Sequence, residues 1–288
     1  MTDLRPTLRN LKKVVRKAVE PEPYARYIVR PISIYFTWFF VRTPVTANQV
    51  TLLQELLGIA GAILLGLGSN TAAVWGVGLL QLGYILDCSD GEVARWKGEE
   101  SVQGVFLDLI GHAIVIPAYM FGLGFGVWQN TGSLEALIAG FLAAMFVTRL
   151  ERSTSLSVID ALLDRLGTPP YTLAELQPRL EQPVELEEMG SAGQIGRRSI
   201  IQVLFRYPDS MNIITLAVVA DYFLTGRLAE AGTPLVSYYL IMAYGTLLTL
   251  GRLVQIARVF RGNLTELRFL QIIKAVMKMG AGDSSGNR

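Results

Sequence analysis

Charge is scarce in this chain of 288 residues. Asp, Glu, Lys and Arg together make up 17% of it, where a soluble domain carries about a quarter. So few charged residues cannot cover a water-facing surface, while 51% of the residues are apolar and several apolar runs approach the ~20 residues that cross a bilayer. A soluble globular enzyme, a disordered protein and a nucleic-acid-binding module are thereby excluded, and no nucleic acid is expected as a partner. Alternating segments of the kind that build outer-membrane barrels are also missing. The single cysteine, Cys88, rules out an intramolecular disulfide, and nothing in the sequence asks for an oxidising compartment. The basic residues Arg5, Arg9, Lys12, Lys13, Arg16 and Lys17 precede no short apolar core or cleavage-like site, so no signal peptide is expected.

Apolar stretches are abundant. They predict spans near Asn48–Leu67, Thr71–Trp96, Val102–Trp128, Leu134–Leu150, Ser210–Leu224 and Val236–Phe260. Of the 26 Lys and Arg residues, only Arg227 falls in the connections near 68–70, 129–133 and 225–234. The positive-inside rule therefore places both termini, the 95–101 connection and the long 151–209 connection in the cytoplasm, and the protein in a cytoplasmic (inner or plasma) membrane. Ahead of the first span, the basic face of residues 1–17 opposes Leu4, Leu8, Leu11 and Val15, which predicts a helix lying on an anionic membrane surface. The aromatic segment from Tyr24 to Arg42 reads as an interfacial helix. The expected fold is all-α: a polytopic membrane protein with six transmembrane helices preceded by an N-terminal amphipathic and interfacial helix. Residues 1–44 form the surface helices and 45–262 the membrane domain, with a cytoplasmic insertion at 151–209 containing Pro169, Pro170, Pro178 and Pro183. Residues 263–288 form a C-terminal helix and a disordered tail.

Inside the second and third spans lie Asp87, Asp90, Glu92, Arg95, Asp108 and His112, where ionisable groups are costly and read first as functional. Asp87 and Asp90 are three apart, and Asp108 and His112 four apart, so each pair shares a helix face. With the turn centred near Glu99, Asp90 pairs in depth with Asp108, and Asp87 with His112, roughly 13 to 20 Å along the helices from the turn. Such acids would repel one another unless they held hard divalent cations, Mg²⁺ or Mn²⁺, that in turn bind phosphate. Gly91, Ala94 and Gly104 leave room beside them for a flat base or sugar, and Arg95 is suited to a bridging phosphate. An ion-pair network, such as Asp87 with Arg95, explains only one pair of these residues. A cation-coupled transporter would use the same acids, but no internal repeat is evident. Arg149, Arg152, Arg197, Arg198, Arg206, Arg252 and Arg258 lie near cytoplasmic ends of spans, where most read as lipid-headgroup anchors. Arg252, within the sixth span, is the strongest candidate among them for a pocket residue. Glu55, two turns into the first span, is expected to pair with an arginine or to face a partner subunit.

The run Asp87-Cys-Ser-Asp90-Gly91-Glu-Val-Ala94-Arg95, followed by Gly104 and Asp108, resembles the signature of the CDP-alcohol phosphotransferase (phosphatidyltransferase) family, and Thr43–Thr51 resembles that family's start. The resemblance covers Thr43 to His112. It implies a homodimeric membrane enzyme of phospholipid biosynthesis that transfers a phospho-alcohol group from a CDP-alcohol to a lipid or polar alcohol and releases CMP. It also implies that Asp87, Asp90 and Asp108 ligate two divalent ions holding the pyrophosphate. Gly91, Ala94 and Gly104, with Asp87, would let the cytidine approach, and Arg95 would neutralise phosphate charge. His112 departs from the pattern, which has a fourth Asp there. Imidazole can serve either as the acceptor's base or as a ligand of the second metal, and it tolerates Mn²⁺ well. The substitution also leaves room for a site that binds CDP without turning it over, and it could equally mark a subfamily with an unusual acceptor. Arg149 and Arg252 are candidates to bind a phosphorylated acceptor.

Overall fold

The computed structural model describes residues 7–14, 23–147, 207–225 and 234–262. Within them the protein is entirely helical: α1 (Leu8–Val14), α2 (Arg30–Phe40, entered through a π-helical turn Ala25–Val29), α3 (Ala47–Leu65), α4 (Asn70–Lys97), α5 (Val102–Thr131), α6 (Leu134–Phe146), α7 (Asp209–Thr225) and α8 (Leu235–Arg261). The chain forms two compact units. One comprises 1–148 and 199–249, and the other comprises 149–198 and 250–288. Of the second unit, only the last part of α8 is described, where Arg252 Nη1 donates to Gln255 Oε1 (2.7 Å) one turn on.

Among the described residues, four helices, α3, α4, α5 and α8, are long and apolar enough to cross a membrane. Large apolar side chains on their outer faces are bare, including Trp75 (69% exposed) and Phe260 (81%), as suits a lipid environment. The protein is a multi-pass membrane protein. At the other two expected spans, the described residues give α6 (13 residues) and α7 (17 residues), and residues 148–206 and 226–233 beside them lie outside the description. The 151–209 insertion up to residue 206 and the 263–288 tail lie outside the described residues, as does Arg149.

One device makes three of the turns. Gly68, Gly98 and Gly132 each take a left-handed φ near +70° after the preceding helix. Ser69, Ser101 and Ser133 then cap the next helix by accepting from the backbone N–H three residues on. α3 begins with a full capping box, Thr46 with Gln49. The core between α3, α4, α5 and α7 holds Leu80, Tyr84, Tyr119, Met120 and Ile214. α3 and α5 cross closely because Gly122 and Gly126 face the carbonyls of Ala62 and Leu65.

Of the N-terminal helix, Leu8–Val14 is described. Leu11 is fully buried in a cluster with Ile34, against which Leu8, Trp38, Val41 and Trp96 pack. Leu4 and Val15, the rest of the expected apolar face, lie outside the described residues. Tyr27 and Ile28 of the π-helical turn and Tyr35 and Phe39 of α2 are exposed.

Candidate metal centre and its surroundings

α4 ends at Lys97 and α5 starts at Val102, so the two helices run antiparallel from a turn centred close to Glu99. Asp87 and His112 meet across it at the expected depth, with His112 Nε2 3.8 Å from Asp87 Oδ1. One turn back along α5, Asp108 Oδ1 lies 3.6 Å from His112 Nδ1. One ligand atom from each of the three lies within 4.8 Å of the others. Neighbouring ligands around a small divalent ion at about 2.1 Å stand roughly 3 to 4.2 Å apart, so this donor set fits such an ion with little adjustment. The side chains are 19% (Asp87), 41% (Asp108) and 22% (His112) exposed, so the cluster is accessible without being fully solvated.

Asp90 is turned differently. It stands outside that set, and its Oδ2 accepts from Thr51 Oγ1 of α3 at 2.5 Å. Gly91 leaves space for the Arg95 guanidinium, which folds back along α4 so that a Cβ at residue 91 would stand 3.3 Å from Nη1. The open side of Gly104 faces Asn48 Oδ1, and Ala94 packs on the cluster of Ala47, Val50 and Val93, so the small residues open toward the start of α3.

That start is tied to the turn between α4 and α5. Lys97 Nζ donates to the carbonyls of Thr43 (3.0 Å) and Val45 (2.6 Å), and Ala47 N donates to Glu99 Oε2 (2.9 Å). The Glu99 carboxylate thereby satisfies an open N–H at the positive end of α3. The segment Thr43–Thr51 is therefore one wall of the site, which gives its resemblance to the family's start a physical basis.

Glu92 belongs to a different structure. It is buried (3% exposed) on the far side of α4 and accepts from Arg30 Nη1 (2.8 Å), Thr37 Oγ1 (2.6 Å) and Ser33 Oγ (3.2 Å). Arg30 also donates to Cys88 O (3.0 Å), and Thr37 meets Ser89 (2.8 Å). This network holds the interfacial helix α2 to α4, and Glu92 is its centre rather than part of the acidic cluster. The ion pair between helices here is Arg30 with Glu92, not Asp87 with Arg95.

Three neighbours of the cluster escaped the sequence reading or were read differently. Within the chain, the Glu55 carboxylate occupies the place a Cβ of Gly111 would take, next to His112. Gln54, buried at 6% exposure, precedes it on α3. Ala47, Thr51, Gln54 and Gly58 recur at helical spacing, a stripe that could have revealed this face. Tyr207 lays its ring edge-on to His112 with centroids 4.9 Å apart. Its position, 95 residues away in sequence (207 − 112), carried no local signal.

The family model of CDP-alcohol phosphatidyltransferases matches residues 44–170. No curated protein matches the chain. Among solved structures, the crystal structure of Mycobacterium tuberculosis phosphatidylinositol phosphate synthase with CDP-DAG bound is similar, with 20% identity and a TM-score of 0.46 over 78% of this chain and 92% of that one. The signature residues Asp87 to Asp108 are carried on two antiparallel helices inside the stretch that this family model matches, so residues 44–170 are similar to the CDP-alcohol phosphatidyltransferases.

Proposed function

We propose that the protein transfers a phospho-alcohol group from a CDP-alcohol to a hydroxyl acceptor and releases CMP, as a step of phospholipid biosynthesis. The observation that carries this reading is the meeting of Asp87, Asp108 and His112 within 4.8 Å, inside a sequence that matches the family. In the reaction, the acceptor oxygen bonds to the phosphorus bearing the alcohol, the pyrophosphate P–O bond to CMP breaks, and the hydroxyl proton leaves the acceptor. Such a transfer needs positioning and charge neutralisation more than covalent help from the protein.

Asp87, Asp108 and His112 would hold Mg²⁺ or Mn²⁺, and Asp90, by releasing Thr51, would join them for a second ion. Bound divalent ions supply positive charge to the pyrophosphate. Arg95, lying over Gly91, would add to that charge on the leaving side. Gly104 and Ala94, with Gly91, would admit the cytidine against the start of α3. His112, with Asp87 on one nitrogen and Asp108 on the other, is placed to take the acceptor's proton or to ligate a metal. The active site would face the cytoplasm, by the distribution of Lys and Arg in the loops, and the enzyme would act as a homodimer.

The test is CMP release by the purified protein in lipid, supplied with CDP-diacylglycerol or CDP-linked head groups, a panel of acceptors, and Mg²⁺ or Mn²⁺. CMP appearing with the wild type and not with Asp108→Asn supports the transferase. Metal-dependent CDP binding without CMP release would indicate a binding protein, and metal uptake with no CDP binding would indicate a transporter.

A further inference from the structure

His112 borders a cavity of about 20 Å³ between α3, α4 and α5, closed on its far side by Tyr207 and Met211. Gln54 and Glu55 line it from α3, facing His112 and the phenols of Tyr84, Tyr119 and Tyr207. Gln54 Oε1 and Glu55 Oε1 are both buried without a hydrogen-bond partner, which is uncommon in a packed interior. Both atoms are acceptors, so whatever completes this cavity brings hydrogen-bond donors. No Lys or Arg lines it, and the carboxylate of Glu55 reaches in beside Gly111, so an anionic group is not suited to it. The space suffices for about one water-sized group. A terminal CH₂–OH can enter such a space hydroxyl first. A ring carbon would have to bring its two ring neighbours.

Building on the transferase reading, we propose that this cavity receives the reacting hydroxyl of the acceptor, that the hydroxyl donates its one hydrogen bond to Glu55 Oε1, and that the acceptor is a primary alcohol. Glu55 is thereby a binding residue specific to the acceptor. The cytidine end of the donor, expected near Gly91, Ala94 and Gly104, is served by other residues. Gly111 is required because any side chain there would displace the Glu55 carboxylate.

The experiment measures CMP release by the protein in lipid nanodiscs as donor and acceptor are varied separately. Primary alcohols (glycerol, glycerol 3-phosphate, serine, diacylglycerol) are compared with the ring alcohols myo-inositol and its phosphate. The productive acceptor is expected to be a primary alcohol. Losing a hydrogen bond to a charged group corresponds to a factor of about ten or more. Glu55→Leu is therefore expected to raise the acceptor KM about tenfold or more, while the donor KM moves less than about twofold. Glu55→Gln, which keeps an oxygen at the same place, is expected to raise it less than about threefold. Gly111→Ala reaches the same carboxylate from the other helix and is expected to behave like Glu55→Leu, so the test does not depend on one variant folding. A ring alcohol as the preferred acceptor, an unchanged acceptor KM in Glu55→Leu, or equal rises in both KM values would overturn the assignment and leave the transferase standing. No CMP from the wild type with any pair would overturn the transferase reading and this assignment with it.

Discussion

Replacing Glu92 with Leu separates the two polar clusters of α4. The substitution removes the acceptor shared by Arg30, Ser33 and Thr37 and leaves the Arg30 charge without its partner. Breaking a fully buried ion pair costs about 3–5 kcal/mol. Two features lower that figure. The Arg30 side chain keeps 21% exposure and can turn toward lipid headgroups, and Thr37 can give its hydrogen wholly to Ser33 O, 3.0 Å away. The expected loss is about 2 kcal/mol, or a fall in Tm of roughly 4–8 °C. Because Glu92 points at α2 and away from α5, Mn²⁺ affinity is expected to stay within about twofold of the wild type. Asp108→Asn is expected to do the reverse, with affinity lost and Tm nearly unchanged. Thermal unfolding in detergent and Mn²⁺ titration of the same samples check both. A Glu92→Leu protein that melts normally but loses metal affinity would refute the division of α4 into a structural face and a metal face.

Other substitutions probe the packing. Gly126→Ala would drive a Cβ into the Leu65 carbonyl and should cost about 1–3 kcal/mol, whereas Gly78→Ala, with nothing within 4 Å, should be neutral or stabilising by up to about 1 kcal/mol; parallel melts compare them. Asp221, 3% exposed, caps α8 by accepting from Val236 N (2.8 Å) and Ser237 N (2.7 Å). Asp221→Ala should cost about 1–2 kcal/mol and speed hydrogen exchange at those two amides, with Asp221→Asn intermediate.

Much of the membrane domain was legible because its signals are local. Each of the first three turns is written as a glycine and a capping serine, and the starts of α3, α4, α5, α6 and α8 fall within one residue of those expected from hydropathy. The depth match of Asp87 and His112 followed from helical rise alone. Depth says nothing of azimuth, however. Glu92, two positions beyond Asp90, was grouped with the acids although its direction around α4 sends it to α2. Around α1, Leu11 packs with Ile34, Trp38 and Trp96, partners that the leucine spacing alone does not name. Glu55 and Tyr207 reach the site from α3 and from the segment entering α7, contacts that only the packing of the helices creates.

The central claim is that Asp87, Asp108 and His112 form one divalent-metal centre between α4 and α5. Pulsed electron paramagnetic resonance of the Mn²⁺-loaded protein tests it most directly. The account predicts nitrogen coupling from His112 that disappears in His112→Asp while Mn²⁺ stays bound, together with affinity weakened about tenfold or more in Asp87→Asn and Asp108→Asn. Mn²⁺ bound without nitrogen coupling, or with equal affinity in the two asparagine variants, would contradict it.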